Sequence, residues 1–486
     1  MWLAVALAAC GGDGGPTATP GQRGLRFLDR SSIADTIFAF HQRSVVLELR
    51  DDAGAPIGGA PVTLASALTS SSTITAARFG TLPTGPTQPT LTVTTDESGR
   101  AQFFLQLSFK AGPGYVVADA GGGRRDSITV TVSAGTPVDL TVAPFDTAVL
   151  AGREFQTRPL ARDLGGNDVG LPIGLSSTTG AITVAAGRIR GVTIGRAAVI
   201  ASLGVLRDTA WVSVVPPATI AYHAAPIGAG QDAGVYLLDS DGSNGRFLYR
   251  TTGVIGGLTD FGGWPAWSAD AKQIAFVDGS LRILDIAGGT PRELVTGGVP
   301  VSDRYGPQMD ALGRVHFTRG TLGSQHAVWR VPAMGGAAVQ ESPVLDWGVE
   351  AMPSPSPSGD LVAYQTNRVS PSGVTFTLRL LDPVTGQVQA LDVPGHSPRW
   401  SPTGDRIAYL DATGRVQFMS STGATIASVS AGVAFAPGFS WSPDGEFIVG
   451  RGSAGLQILK ISTREILPLA FQGPNGQALV QPSWKP

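Results

Sequence analysis

Residues 397–414 read SPRWSPTGDRIAYLDATG, and residues 438–455 read GFSWSPDGEFIVGRGSAG. Both carry a Trp-Ser pair, then a Pro-x-Gly turn, then an apolar run. The same pattern, Pro-x-Trp-Ser followed by Ile-Ala-Phe/Tyr, stands at residues 265–276 (PAWSADAKQIAF). Residues 307–317 (PQMDALGRVHF) are one residue shorter, with Met309 at the tryptophan position. Residues 353–364 (PSPSPSGDLVAY) put Pro355 there, and the final QPSWKP supplies Trp484. The marked positions Trp267, Met309, Pro355, Trp400, Trp441 and Trp484 are 42, 46, 45, 41 and 43 residues apart.

A period near 43 residues with four short strands per unit predicts the blades of a β-propeller. In each unit the Trp ends a first strand, the Ser-Pro-Asp-Gly turn or its relative reverses the chain, and IAY or IAF opens the second strand. Third strands follow, as in LRILDI (281–286), TLRLLD (377–382) and GLQILKI (455–461). The Trp484 unit holds only a first strand, whereas TIAYHA (219–224) is an IAY strand with no Trp motif before it. Joining them predicts six blades over residues 217–486, closed by the C-terminal strand so that no sheet edge stays open. Trp267, Met309, Trp400, Trp441 and Trp484 are expected to pack between blades.

Strand parity puts the loops entering each first strand and leaving each second strand on one face. These vary: TDFGGW, SDRYG, LDWGVEAM and VPGHS precede four of the units. The turns of the other face are stereotyped, as in DSDGSNG, DIAGGT and DPVTGQ. Binding residues favour loops held on a rigid frame. The variable face is therefore the expected ligand face, with candidates Asp260, Phe261, Trp264, Asp303, Arg304, Tyr305, Arg319, Asp346, Trp347, Glu350, Arg368 and His396. Long second-to-third connections at 225–233, 318–326 and 365–374 are expected to join it.

The repeats resemble those of TolB-type (WD-repeat-like) propellers, with VYLLDSDGSN (235–244) especially close to that family's third strand and turn. Upstream, residues 34–135 alternate short strands and turns, as in SVVLELRDDAGAPIGGAPVTLAS (44–66) and TVTTDESGRAQFFLQL (92–107). The Thr-Asp-x-x-Gly-x-Ala stretch at 95–101 resembles the bacterial immunoglobulin-like modules of invasin-type surface proteins. Residues 69–89 read as an enlarged loop within it. In residues 136–216, GRIRGVTIGRAAVI (187–200) resembles a second class of bacterial Ig-like domain. The expected fold class is all-β: two Ig-like β-sandwiches, serving as spacers, then a six-bladed propeller.

The chain starts MWLAVALAACGGDGG, and Cys10 is its only cysteine. Leu7-Ala8-Ala9-Cys10 resembles a bacterial lipobox, which implies a signal peptide over 1–10 and lipidation of Cys10, hence a stable membrane anchor. The apolar run is short and no Lys or Arg precedes it, so a translation start upstream of Met1 is expected. Gly11 follows where some bacteria place an inner-membrane retention Asp, which points to the outer membrane. Residues 11–33 read as a flexible tether of about 25 Å.

With 15% charged residues, 42% hydrophobic residues and a net charge of −2, the chain can build packed cores and has no basic face for nucleic acid. The histidines His223, His316, His326 and His396 show no close metal-ligand spacing, and no cofactor or metal is expected. A Gly-x-Ser-x-Gly elbow is absent from the sequence. The functional expectation is a non-enzymatic, lipid-anchored cell-envelope protein whose propeller binds a protein, peptide or glycan. Its rivals are a glycan lyase using channel His and Arg, and a periplasmic assembly factor like TolB. The usual N-terminal domain of that family is replaced here by the sandwich pair.

Overall fold

The computed structural model describes residues 24–225, 233–251, 264–295, 301, 305–320, 325–343, 348–370, 373–426, 434–453, 455–469 and 478–486. Among these the chain is all-β, without a helix. It divides into two compact units. One comprises Met1–Val142, Arg158–Gly174 and Ala201–Asp208, the other Ala143–Thr157, Leu175–Ile200 and Thr209–Pro486.

In the first unit a four-stranded and a five-stranded sheet enclose one core. Alternation along Pro61–Leu68 and Arg100–Leu107 turns Val62, Leu64, Phe103 and Leu105 inward, all fully buried. The Asp96–Gly99 turn forms as expected, with Gly99 at φ 75° donating its N–H to the Asp96 carbonyl at 2.9 Å. The expected tether ends early: Gly24–Phe27 pairs with Val45–Arg50 and buries Leu25 and Phe27. That alternation buries apolar surface, as a tether would not. The expected loop at 69–89 likewise holds an edge strand, Ala77–Gly80, paired to Arg100–Leu107. Cys10 and the rest of residues 1–23 lie outside the described residues.

In the second unit six four-stranded sheets follow one another. The first joins Arg246–Arg250, Gly234–Asp239, Thr219–Ala225 and the C-terminal Ala478–Trp484, with Ile220 opposite Trp484. The others start from Ala266–Trp267, Gln308–Met309, Gly348–Pro355, His396–Trp400 and Ser440–Trp441, and each runs outward in chain order. We number these blades 1 to 6. The innermost strands meet around a central channel; Ala266–Trp267, for instance, touches both Gln308–Met309 and Ala478–Trp484. Six apolar clusters fill the six junctions between blades. The strand exchange between the two ends of this region closes the propeller as the repeat count requires. Beside blades 6 and 1 the unit also holds strand Thr147–Leu150, parallel to residues 212–215. Glu465 there accepts the Arg196 backbone N–H at 2.8 Å.

The Trp-Ser repeat builds the lower mouth. Trp267 and Trp441 donate their indole N–H, each at 3.1 Å, to the carbonyls of Ser483 and Arg399 on the preceding blade. In the same register the backbone N–H groups of Trp400 and Trp484 donate to the hydroxyls of Ser354 and Ser440, at 2.9 and 3.1 Å. Each turn serine bonds back across its own turn: Gln273, Leu361 and Phe447 donate to Ser268, Ser356 and Ser442 at 2.9, 3.1 and 2.9 Å. Blade 3, one residue shorter, replaces this serine with Asp310. Asp310 takes the Arg314 N–H at 2.8 Å and, fully buried, is neutralised by Arg314 Nε at 2.6 Å and His316 Nε2 at 3.1 Å.

Candidate functional site

The feature that sets the upper mouth apart is the residue three places before each Trp position: Trp264, Gly306, Met352, Ser397, Gly438 and Gln481. In five of the six blades a proline follows it. In blades 4, 5 and 1 the inner strand carries a bulge at this point. Met352, Ser397 and Gln481 there have φ of 58°, 54° and 56°, and Gly438 has 94°. A bulge leaves a residue unpaired, so the missing N–H of proline costs no ladder bond. For L-residues the left-handed conformation costs on the order of 1 kcal/mol or more, and such strain gathers at functional sites. Here four consecutive blades, 4, 5, 6 and 1, adopt it in one register, three of them with an L-residue.

Two of the six positions are glycine because Trp264 needs the room. A Cβ on Gly306 would lie 2.6 Å from Trp264 Cβ, and one on Gly438 2.6 Å from Trp264 Cζ3. The indole therefore spans from blade 2 to blade 6, and it also packs with Ala351 and Met352 of blade 4. Its backbone N–H is held by Gln481 Oε1 at 3.1 Å. Beneath it, the buried Arg399 donates to the carbonyls of Phe439 and Pro398 at 3.3 and 2.9 Å. Burial lowers this guanidinium to about 10. Only a void of about 10 Å³ separates the two layers. Trp264 and Arg399 thus plug the channel.

Above the plug lies a basin of about 610 Å³. Trp264, Tyr305, Phe376, Phe435 and Met352 give it apolar walls, and Gln365, Asn367, Ser397, Gln481 and His396 add polar groups. Gln365 is fixed from both ends: its Oε1 accepts the Ser397 N–H at 2.8 Å, and its Nε2 donates to Asn367 Oδ1 at 2.9 Å. His396 lies 5.4 Å from the Phe376 ring, with Nδ1 3.1 Å from Ser397 Oγ, and burial lowers its pKa. Arg451 also lines the basin, its guanidinium making no hydrogen bond or ion pair among the described residues. The Trp264 indole N–H is buried without a partner among them.

Of the sequence candidates, Trp264, Tyr305 and His396 come together in this basin. Three others do not line it. Glu350 is fully buried in blade 4, accepting from Thr366 Oγ1 at 2.9 Å; desolvation raises its pKa to about 7, and its Oε2 has no partner among the described residues. Arg319 is buried against the Trp329 ring, 5.0 Å from the centroid. Arg368 is exposed on strand Val362–Ser370, opposite Thr375. The connection expected at 365–374 is largely strand, because Val362–Ser370 and Gly373–Leu381 pair along their whole length. Asp260, Phe261, Asp303, Arg304, Asp346 and Trp347 lie outside the described residues.

Sequence reasoning missed Gln365, Asn367, Met352, Ser397, Gln481, Phe435 and Arg451. A signal existed for most of them. Met352, Ser397 and Gln481 directly precede the proline of the repeat, and Gln365 and Arg451 directly follow the IAY-like triplet of their blades. Among the described residues no group of three or more His, Cys, Asp or Glu is arranged to hold a metal.

No family model matches the chain. An uncharacterized protein of Agrobacterium fabrum, Atu1656, is 29% identical over 193 residues, covering 36% of this chain. The chain spans 61% of that relative's length. Among solved structures, TolB from Acinetobacter baumannii is similar with a TM-score of 0.44 and 16% identity, over 65% of this chain and 84% of that one. A putative TolB from Agrobacterium tumefaciens has a TM-score of 0.40 and 15% identity, over 56% of this chain and all of the other. An oligogalacturonate lyase from Vibrio parahaemolyticus has a TM-score of 0.33 and 10% identity, over 44% and 78%.

Proposed function

We propose that this chain is a cell-envelope binding protein that takes a peptide, protein segment or glycan into the basin of its propeller. Cys10 carries the lipid that holds it at the outer membrane, and the two sandwiches act as spacers. The observation that carries the binding reading is a basin with an unused cation: Arg451 meets aromatic walls above a plugged channel. A concave apolar pocket with a few convergent polar groups is the common form of a ligand site, and 610 Å³ falls within the usual range of roughly 300–1,000 Å³.

Arrays of peptides and of glycans probed with the full-length protein test this reading. Binding that is abolished by Ala436→Trp, which fills the basin from its wall, supports it. Binding indifferent to that substitution refutes it. Fractionation tests the anchor: Cys10→Ser should release the protein from membranes. A second reading, glycan cleavage, is favoured by His396 and Arg451 lining one basin, with burial favouring the neutral form of the imidazole. Release of unsaturated oligosaccharide from an acidic polysaccharide, lost in His396→Gln, would establish it in place of simple binding.

A further inference from the structure

The charge of the basin is one-sided. Among its described lining residues there is one cation, Arg451, and no Asp or Glu. One further donor is left over: the amide of Asn367, whose oxygen already serves Gln365. The basin therefore offers donors and one positive charge, and asks for acceptors and one negative charge. It is also a dead end, because Trp264 and Arg399 close the channel below it. A chain that enters must terminate there.

Resting on the binding reading above, we propose that the basin captures the free C-terminal carboxylate of an extended peptide, with Arg451 holding the carboxylate and the aromatic walls taking apolar residues beside it. The chemistry selects this occupant. A polypeptide end carries a single carboxylate at the tip of a chain, which matches one arginine in a blind basin. An acidic oligosaccharide carries a carboxylate on ring after ring and calls for several cations. Backbone carbonyls of the last residues provide acceptors for Asn367. A guanidinium can hold a carboxylate with two parallel bonds, which gives direction as well as strength.

The probe is a fluorescein-labelled hexapeptide library, randomised over its final residues and made in free-acid and C-terminal amide forms. It is titrated against the full-length protein by fluorescence polarisation. The expected binders carry apolar residues near the end and lose about 10- to 100-fold in affinity on amidation and on Arg451→Gln, as for one charge-assisted contact. Arg451→Lys should retain part of the binding, and the urea midpoint of Arg451→Gln should stay at the wild-type value. Peptides that bind, are blocked by Ala436→Trp, yet ignore amidation and Arg451→Gln would overturn the carboxylate inference and leave the binding site standing. Peptides that bind regardless of Ala436→Trp would overturn the site itself. An Arg451-dependent response to trigalacturonate, with no response to any peptide acid, would replace the peptide end by an acidic sugar.

Discussion

At the lower mouth of the channel the serine after Trp267, Trp441 and Pro355 closes the same bond across its turn, and the tryptophans reach the same carbonyl of the preceding blade. At the upper mouth, a few residues earlier on the same inner strands, the equivalent positions are Trp264, Gly306, Met352, Ser397, Gly438 and Gln481, each different in size or polarity from its neighbours. One repeat makes both ends. Where the repeat is kept, most of its donors and acceptors are matched within the protein, the Trp400 indole N–H being buried without a partner among the described residues; where it varies, the Arg451 guanidinium is left over. The difference teaches that conformity marks what holds the ring together and deviation marks what lines the basin. A cavity of about 350 Å³ also opens at the lower mouth, yet it is lined by the Trp and turn residues that the repeat holds in place.

The sharpest test of the lower half is His316. Its ring lies between Asp310 and Glu341, at 3.1 and 2.8 Å, with all three side chains buried and Arg330 on the far side of Glu341 at 3.2 Å. His316→Leu removes the partner shared by two buried carboxylates and should cost about 3–5 kcal/mol in urea unfolding. An effect under about 1 kcal/mol would mean that blade 3 does not depend on this substitute for the missing serine.

Glu350 probes the opposite case, a buried acid in blade 4 with one unpaired oxygen. Desolvation raises its pKa from 4.5 to about 7 in the folded protein. The folded state therefore keeps a proton that the unfolded state has already lost, and stability falls as pH rises from about 4.5 to 7, then levels off. Glu350→Gln should remove that slope and leave the protein up to about 3 kcal/mol more stable than wild type at pH 8. Unfolding curves at pH 5 and pH 8 decide it.

Ser440→Ala tests one staple of the repeat. It takes away the acceptor of the Trp484 N–H and should cost about 1 kcal/mol, read as a lower urea midpoint with unchanged slope. Arg451→Gln, on the variable side, should change stability by less than about 0.5 kcal/mol. A loss there as large as that of Ser440→Ala would erase the distinction between the two mouths.

The architecture was legible because Trp267, Trp400, Trp441 and Trp484 recur at a near-constant interval and pack at equivalent junctions. The IAY strand at 219–224, lacking a Trp motif of its own, marks the closing partner of the last Trp, and Ile220 pairs with Trp484. Strand parity also put Trp264, Tyr305 and His396 on one face, and the structure brings these three together in the basin. What escaped was the inner wall. Gln365 and Asn367 were assigned to a loop, but they lie on a strand that extends upward because Val362–Ser370 keeps pairing with Gly373–Leu381. Met352, Ser397 and Gln481 carry no chemical signal in the sequence beyond preceding a proline, and an inner-strand bulge at that position brings them to the basin. Glu350 and Arg319 have the chemistry of a site, but alternation along their strands buries them within the blades. A loop-based search for ligand residues misses side chains that a propeller presents from its strands.

Crystals of the full-length protein soaked with a fragment library of anionic, neutral and cationic members offer the most direct test of the claim that binding lies where the repeat varies. The account predicts that bound fragments concentrate in the upper basin, carboxylates toward Arg451 and rings against Tyr305, Phe376 and Phe435. Fragments that favour the lower mouth, or divide evenly between the two without regard to charge, would contradict it.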